Sequence, residues 1–426
     1  MKTCLPLLCL LLAPALCRGA DLNGDWIAEI NGPGDPQYAR VSLQVSAGKV
    51  SGSWGGAKVE GTAEGDQVTL SVLRGSLEGK AVSDTWTGQG TLAGGRGRGG
   101  GGTTLQNVMW KLTRASHPPA GGPRTVDFDP KGFSGYYSAA IPPVLHVFAG
   151  DTIRTRTYDA GGKDHDVRSP GANPETGPFY IEGALPGDTL VVKLNKVRVN
   201  RDTARQGNRI NGRTVTPQFV AAAKYADAFD SEWKLDLAKG TAMLAHPTER
   251  MKNFTVPILP MIGCLATAPA GNLSYRATDL GPYGGNMDYN QMGEGATLYL
   301  PVFQPGALFF LGDGHAAMGD GELTGSALET SLDVEFTVTV QPGFATANPR
   351  LENAGYLMSM GIAGSVADSI QLATAQLATW LKTDYKLDDN EVAVLLGAVL
   401  KYDITEMVDS QFNVVAKVPK SALAGF

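Results

Sequence analysis

The sequence predicts a mostly β, α+β protein. A small N-terminal antiparallel barrel or sandwich precedes a larger β-rich domain that carries helices near its C-terminal end. Three observations point there. Gly is abundant, at 54 of 426 residues, and charged residues make up only 18%; glycine weakens helix interiors, so this composition suits strands joined by many turns. Apolar and polar residues alternate through long stretches, the period of half-buried strands. Helical spacing of apolar residues enters only after residue 352.

Residues 1–20 read as a secretory signal. Lys2 supplies the positive start, Leu5 to Leu16 form a short apolar run, and small residues follow. The run is too short to span a bilayer, so the mature chain is expected to carry no stable membrane span and to be exported, to the periplasm or the extracellular space. Cys4, Cys9 and Cys17 lie in this segment, leaving Cys264. One thiol forms no internal disulfide, so the fold stands on its core. The net charge of −6, from 36 basic and 42 acidic residues, argues against a phosphate-binding groove and against a nucleic-acid partner.

Residues 21–115 form the small β domain. Ala39–Val45 and Gln67–Val72 alternate, and Gly32 to Gly34, Gly55-Gly56 and Gly65-Asp66 punctuate the runs. Trp26, Trp54, Trp86 and Trp110 are the expected filling. The run GGRGRGGGG, residues 94–102, reads as a loop between strands rather than an RNA-binding segment, because two arginines make a poor patch. Residues 116–124, SHPPAGGPR, form a linker, and residues 125–426 make up the second domain. Its clearest strands are Val144–Val147, Thr189–Leu194, Thr297–Val302 and Ser331–Val340. Val366, Ile370, Ala373, Leu377 and Trp380-Leu381 then repeat at helical spacing. A second helix opens at Asp388, with Glu391 three positions on as in a capping box. Phe412–Val418 closes the chain as a strand.

No G-x-S-x-G elbow or H-E-x-x-H motif is present. Cys264 sits among apolar residues and reads as a small hydrophobe. The richest stretch is LGDGHAAMGDGE, Leu311 to Glu322, which holds Asp313, His315, Asp320 and Glu322. In extended chain, residues two apart point to one side. Asp313 with His315, and Asp320 with Glu322, therefore have the makings of a divalent-ion site or a general base for water; Asp-Gly turn chemistry is the alternative. Of five histidines, His315 alone lies in such a cluster, whereas His117, His146 and His246 read as structural or solvated. His165 lies between Asp164 and Asp166 and reads as surface loop. In NPETGPFYIEGALPGD, residues 173–188, Glu182 ends an apolar strand. It needs a metal, an arginine or a substrate amide as partner, unless it caps backbone N–H groups. In Tyr283–Tyr289, Asn286 and Asp288 share one side if extended, and Asn can hydrogen-bond an amide from both ends.

These three stretches together resemble the acetamidase/formamidase family. The resemblance runs from about residue 125 to 420 along NPETGPFYIEGALPGD, GPYGGNMDYNQMGEGATLYLPVFQPGALFFLGDGH and AAMGDGELTGSALE. It implies a β-rich fold, a homo-oligomer (a dimer), and hydrolysis of small formamide- or acetamide-like linear amides to a carboxylate and ammonia. It also implies a divalent metal ion, zinc or calcium, at the acid–histidine cluster. Carried over by residue, Glu182, Glu322 and Asp320 are the proton-handling acids, Asn286 and Asp288 hold substrate, and Asp159, Asp313 and His315 hold metal. Asp151 and Asp188 sit in G-D turns and read as structural. There are two departures. Met318 replaces a Gln of the family pattern, and Ser134 stands where exported relatives have a His. They leave a second reading, a catalytically impaired small-molecule binding protein on the same fold. The N-terminal domain lies outside the resemblance.

Overall fold

The computed structural model describes residues 21–93, 105–164 and 173–426. The signal segment, the 94–102 glycine/arginine stretch, His165 and Asp166 lie outside the described residues. The chain divides into two compact units, one ending at Ala115 and the other running Ser116–Phe426.

The first unit is a closed barrel of eight antiparallel strands, from Gly24–Asn31 to Leu105–Arg114. Each strand pairs with the next, and the last pairs with the first. Closure leaves no free sheet edge. Inward positions are buried and outward ones exposed, as in Gln67–Val72, where Val68, Leu70 and Val72 face in. All four tryptophans lie in this core. Gly79 is required there by space: a Cβ on it would stand 2.3 Å from Cζ2 of Trp110.

The second unit is built on two sheets packed face to face. The six-stranded sheet runs, by adjacency, Leu145–Val147, Thr176–Ile181, Phe309–His315, Met261–Ala266, Gly284–Asn286 and Leu280–Gly281. The nine-stranded sheet has Thr189–Val199 and Leu332–Gln341 near its middle, with Phe412–Pro419 toward one edge. Their inner faces share one core that includes Phe179, Met261, Leu265, Phe309, Leu311, Leu190, Leu300, Phe336 and Met360. The outer face of the Tyr356–Ala363 and Phe412–Pro419 strands is covered by helices. Leu357, Ala416 and Val418 pack with Ala373, Leu377, Trp380 and Leu381, while the neighbouring Met358 and Met360 face the sandwich core, the period of two expected of a strand.

Three α-helices occur among the described residues: α1 (Pro217–Ala222), α2 (Val366–Asp384) and α3 (Asp389–Val399). The two long ones begin where the sequence places them, and the Asp388–Glu391 capping box is formed. α1 has no buried residue, so no apolar periodicity announces it. Asp151 and Asp188 do turn work. Asp151 accepts from the backbone N–H of Phe148 and Arg124 and pairs with the Arg124 side chain, and Asp188 accepts from the N–H of Leu185 and Gly343. No described helix is long and apolar enough to cross a membrane.

Gly79→Ala is expected to strain the barrel core against the Trp110 ring and lower stability by about 1–3 kcal/mol. A denaturant melt followed by tryptophan fluorescence reads this; an unchanged midpoint contradicts the packing described.

Candidate active site

At the strand ends of the six-stranded sheet, an imidazole and four carboxylates gather with little access to water. Asp313 and His315 end the Phe309–His315 strand, and both are buried. His315 Nε2 lies 3.1 Å from Asp313 Oδ1, 3.3 Å from Glu329 Oε1 and 4.0 Å from Glu322 Oε1; its Nδ1 lies 3.9 Å from Asp288 Oδ1. Asp288 follows the Gly284–Asn286 strand, whose pairing with Met261–Ala266 brings it beside Asp313. Gly263 makes the approach possible, because a Cβ there would stand 2.4 Å from Asp288 Oδ1 and 2.7 Å from Asp313 Oδ2. After His315 the chain folds back, with Ala316 N–H bonded to Leu328 O and Leu328 N–H to Ala317 O. This hairpin returns Glu329 opposite His315 and tucks Glu322 in from the loop between.

Asn173, Cys264 and Asn286 join the cluster through hydrogen bonds. Asn173 Nδ2 donates to Asn286 Oδ1 at 2.8 Å and to Asp313 Oδ2 at 3.3 Å. Cys264 Sγ lies 2.8 Å from Asn286 Oδ1 and 3.8 Å from Asp313 Oδ2. Asn286 Nδ2 donates to Asp409, beside Glu406. Glu175, fully buried, packs against Gly312. Three groups of donors lie close enough to share an ion: Asp288–Asp313–His315, His315–Glu322–Glu329 and Asp288–Glu406–Asp409.

So many acids in one dry volume cannot all ionise. Burial, then Glu322 and Asp313, push the Asp288 carboxyl well above its usual range. Burial raises Glu322 well above its ordinary value against the pull of His315, and burial followed by Asp313 raises Glu175. Burial lifts Glu329 to about 7, Glu406 to about 8 and Asp409 to about 6. Burial alone lowers His315, but Glu329 and Asp313 outweigh it and hold the imidazolium well above the usual range. Burial, with Glu175 and Asp313, keeps the Cys264 thiol protonated. Both oxygens of Asp288 lack a hydrogen-bond partner among the described residues. Asn173, Asp288, Asp313 and Glu322 all hold positive φ, at 49°, 38°, 59° and 44°, a conformation that costs energy in residues other than glycine and collects at functional sites.

Of the residues singled out in the sequence, Asp288, Asp313, His315 and Glu322 are brought together, and Asn286 braces them. Three are placed elsewhere. Glu182 is bonded to His146 at 2.7 Å; it stands seven residues along the strand from Glu175, roughly 20 Å at strand rise, so Glu175 is the acid of that motif at the cluster. Asp320 is exposed and accepts from Asn290, because the turn at Gly321 and Glu322, both at positive φ, breaks the extended geometry that would align it with Glu322. Asp159 is ion-paired with Arg201 and accepts from Lys163 N–H, outside the three donor groups. Cys264, read as a hydrophobe, faces these polar groups because its strand alternates. Glu329, Glu175 and Asn173 lie inside the quoted motifs, where no local pattern singles them out. Glu406 and Asp409 arrive from the C-terminal strands with no local signal. Met318 packs against the sandwich core, and Ser134 exchanges backbone hydrogen bonds with Glu175.

The comparisons with known proteins fall on this region. A family model described as the acetamidase/formamidase family matches residues 281–360, which contain Asn286, Asp288, Asp313, His315, Glu322 and Glu329. The acetamidase of Yersinia enterocolitica is 29% identical, with a TM-score of 0.61 over 72% of this chain and 95% of that structure. The chain is similar in sequence and in fold to the acetamidase/formamidase family. A second solved structure, of an acetamidase/formamidase-type protein from Thermoanaerobacter tengcongensis, is 26% identical with a TM-score of 0.60, covering 71% of this chain and 98% of its own. A Schizosaccharomyces pombe formamidase-type protein is 26% identical over 236 residues, 43% of this chain. The chain thus spans 58% of the length of that curated relative. The share matched by the two structures is close to the size of the Ser116–Phe426 unit.

The native cluster holds protons that the unfolded chain releases, since the raised carboxyls and the imidazolium all have folded pKa values above their unfolded ones. Without metal, stability is therefore expected to fall as pH rises from about 5 to about 8.5, through the values near 6, 7 and 8 of Asp409, Glu329 and Glu406. Melting temperatures in chelator across that range, repeated with added zinc, measure it. A melting temperature that climbs with pH in chelator contradicts this electrostatic account.

Proposed function

We propose that the chain hydrolyses the C–N bond of small linear amides, giving a carboxylate and ammonia, with help from a divalent metal ion. One observation carries the reading: a buried imidazole among four carboxylates, one of which, Asp288, has both oxygens unbonded. Unpaired buried carboxylates are costly, and a cation is the natural complement. Asp288, Asp313 and His315 fit zinc, which takes imidazole with carboxylate; the all-oxygen group Asp288–Glu406–Asp409 fits a harder ion such as calcium. A metal bound there supplies Lewis acidity to a carbonyl and lowers the pKa of water.

The chain's own residues handle the protons. Glu329 is held by Ala327 N–H at 2.9 Å and sits beside His315. In the proposed cycle it accepts a proton from the attacking water, whose oxygen bonds to the carbonyl carbon. The proton is then passed to nitrogen, the C–N bond breaks, and ammonia departs. Glu322 stands on the other side of the imidazole as a second acid. Asn286 is fully engaged with Cys264, Asn173 and Asp409, so it braces the site instead of gripping substrate. Names of relatives as acetamidases and a formamidase support the same chemistry. Export and a homodimeric assembly belong to this proposal; fractionation of the producing cells and light scattering address them.

Purified mature chain is expected to release ammonia from short amides in proportion to bound metal. His315→Ala is expected to lower kcat/KM at least 100-fold, the usual scale for removing a general acid–base or ligand group. Folded, metal-loaded protein that releases no ammonia from any amide sinks the enzyme reading; unchanged turnover in His315→Ala sinks the site alone.

A further inference from the structure

The cluster is nearly sealed, and its route to solvent is informative. The side chains of His315, Asp288 and Asp313 are 0 to 3% exposed, whereas Glu329 is 10% exposed. Glu329 forms part of the wall of a cleft of about 1260 Å³. Backbone pairing links three of the lining residues. Glu329 and Arg205 exchange backbone hydrogen bonds, and Arg205 pairs in turn with Glu232 on the next strand. Arg201, also in the lining, reaches both the Asp159 carboxylate and the Glu329 carbonyl. The lining also includes Thr203, Gln206 and Asn208, and Phe229 and Leu237 are exposed at 36% and 50%.

Acetamide has four heavy atoms and would occupy a small part of this space, whereas pockets of about 300–1,000 Å³ take drug-sized ligands. The walls carry amide, hydroxyl and charged groups of both signs, which an alkyl chain leaves unpaired at a cost. We infer that this cleft is the approach to the cluster and that it selects linear amides bearing an extended polar chain, with the scissile amide at Glu329 and the chain lying along the paired Arg205–Glu232 backbone. The inference rests on the amide-hydrolase reading, since it names the substrate class of that site.

The test compares acetamide, hexanamide and succinamide, the last a neutral amide carrying a polar chain, in the metal-loaded full-length protein and in Leu237→Trp, which narrows the cleft at an exposed position. Turnover and equilibrium binding are both measured. Succinamide is expected to exceed acetamide and hexanamide at least tenfold in kcat/KM and in affinity. Leu237→Trp is expected to cut that preference at least tenfold with the melting temperature maintained; Leu237→Ala, which opens the cleft, is expected to keep it. Acetamide or hexanamide handled as well as succinamide overturns the inference while leaving amide hydrolysis intact. So does a preference that Leu237→Trp leaves untouched. If no amide is cleaved, the hydrolase reading fails, and the binding comparison still decides whether the cleft selects polar chains.

Discussion

The larger unit is organised around a charge imbalance. One imidazole stands among Asp288, Asp313, Glu322 and Glu329, with Glu175, Glu406 and Asp409 close behind, in a volume that water barely reaches. In low dielectric, like charges at such distances resist ionising together. The cluster therefore either holds protons or holds a cation. A cluster of this kind is poor for stability and useful for chemistry, because each group's protonation is sensitive to what binds.

The fold absorbs this imbalance through its backbone. The site lies where strands of the six-stranded sheet end and their connecting turns fold back over them. Gly263 leaves the space that Asp288 and Asp313 occupy. Asn173, Asp288, Asp313 and Glu322, all at the cluster, hold positive φ, which costs energy in residues other than glycine. The sandwich core, from Phe179 and Phe309 to Phe336 and Met360, is the apolar burial that offsets these local costs. The amide hydrogen bonds from Asn173, and the bracing by Asn286, then hold the carboxylates in register.

The N-terminal barrel is a separate solution, with no such cluster among its described residues. Its eight strands close on themselves around tryptophans, and the family likeness covers a share of the chain close to that of the other unit alone. The family model, at residues 281–360, falls wholly outside it.

Sequence alone determined whatever depends on local periodicity and turn chemistry. Alternation over Ala39–Val45 and Gln67–Val72, helical spacing from Val366 to Leu381 and the Asp388–Glu391 cap all follow from interactions within a few residues, and each is formed. Asp313 and His315 were legible for the same reason, since two positions along one strand share a face. Tertiary structure decided which acids join them. Glu182 and Glu175 sit in one motif, and only the pairing of their strand with Phe309–His315 selects Glu175. Asp320 and Glu322 differ by a turn that rotates one outward and the other inward. Glu329 returns through a hairpin, and Glu406 and Asp409 arrive from the far end of the chain. No short-range signal encodes those meetings, because strand pairing joins residues whose separation in sequence is arbitrary.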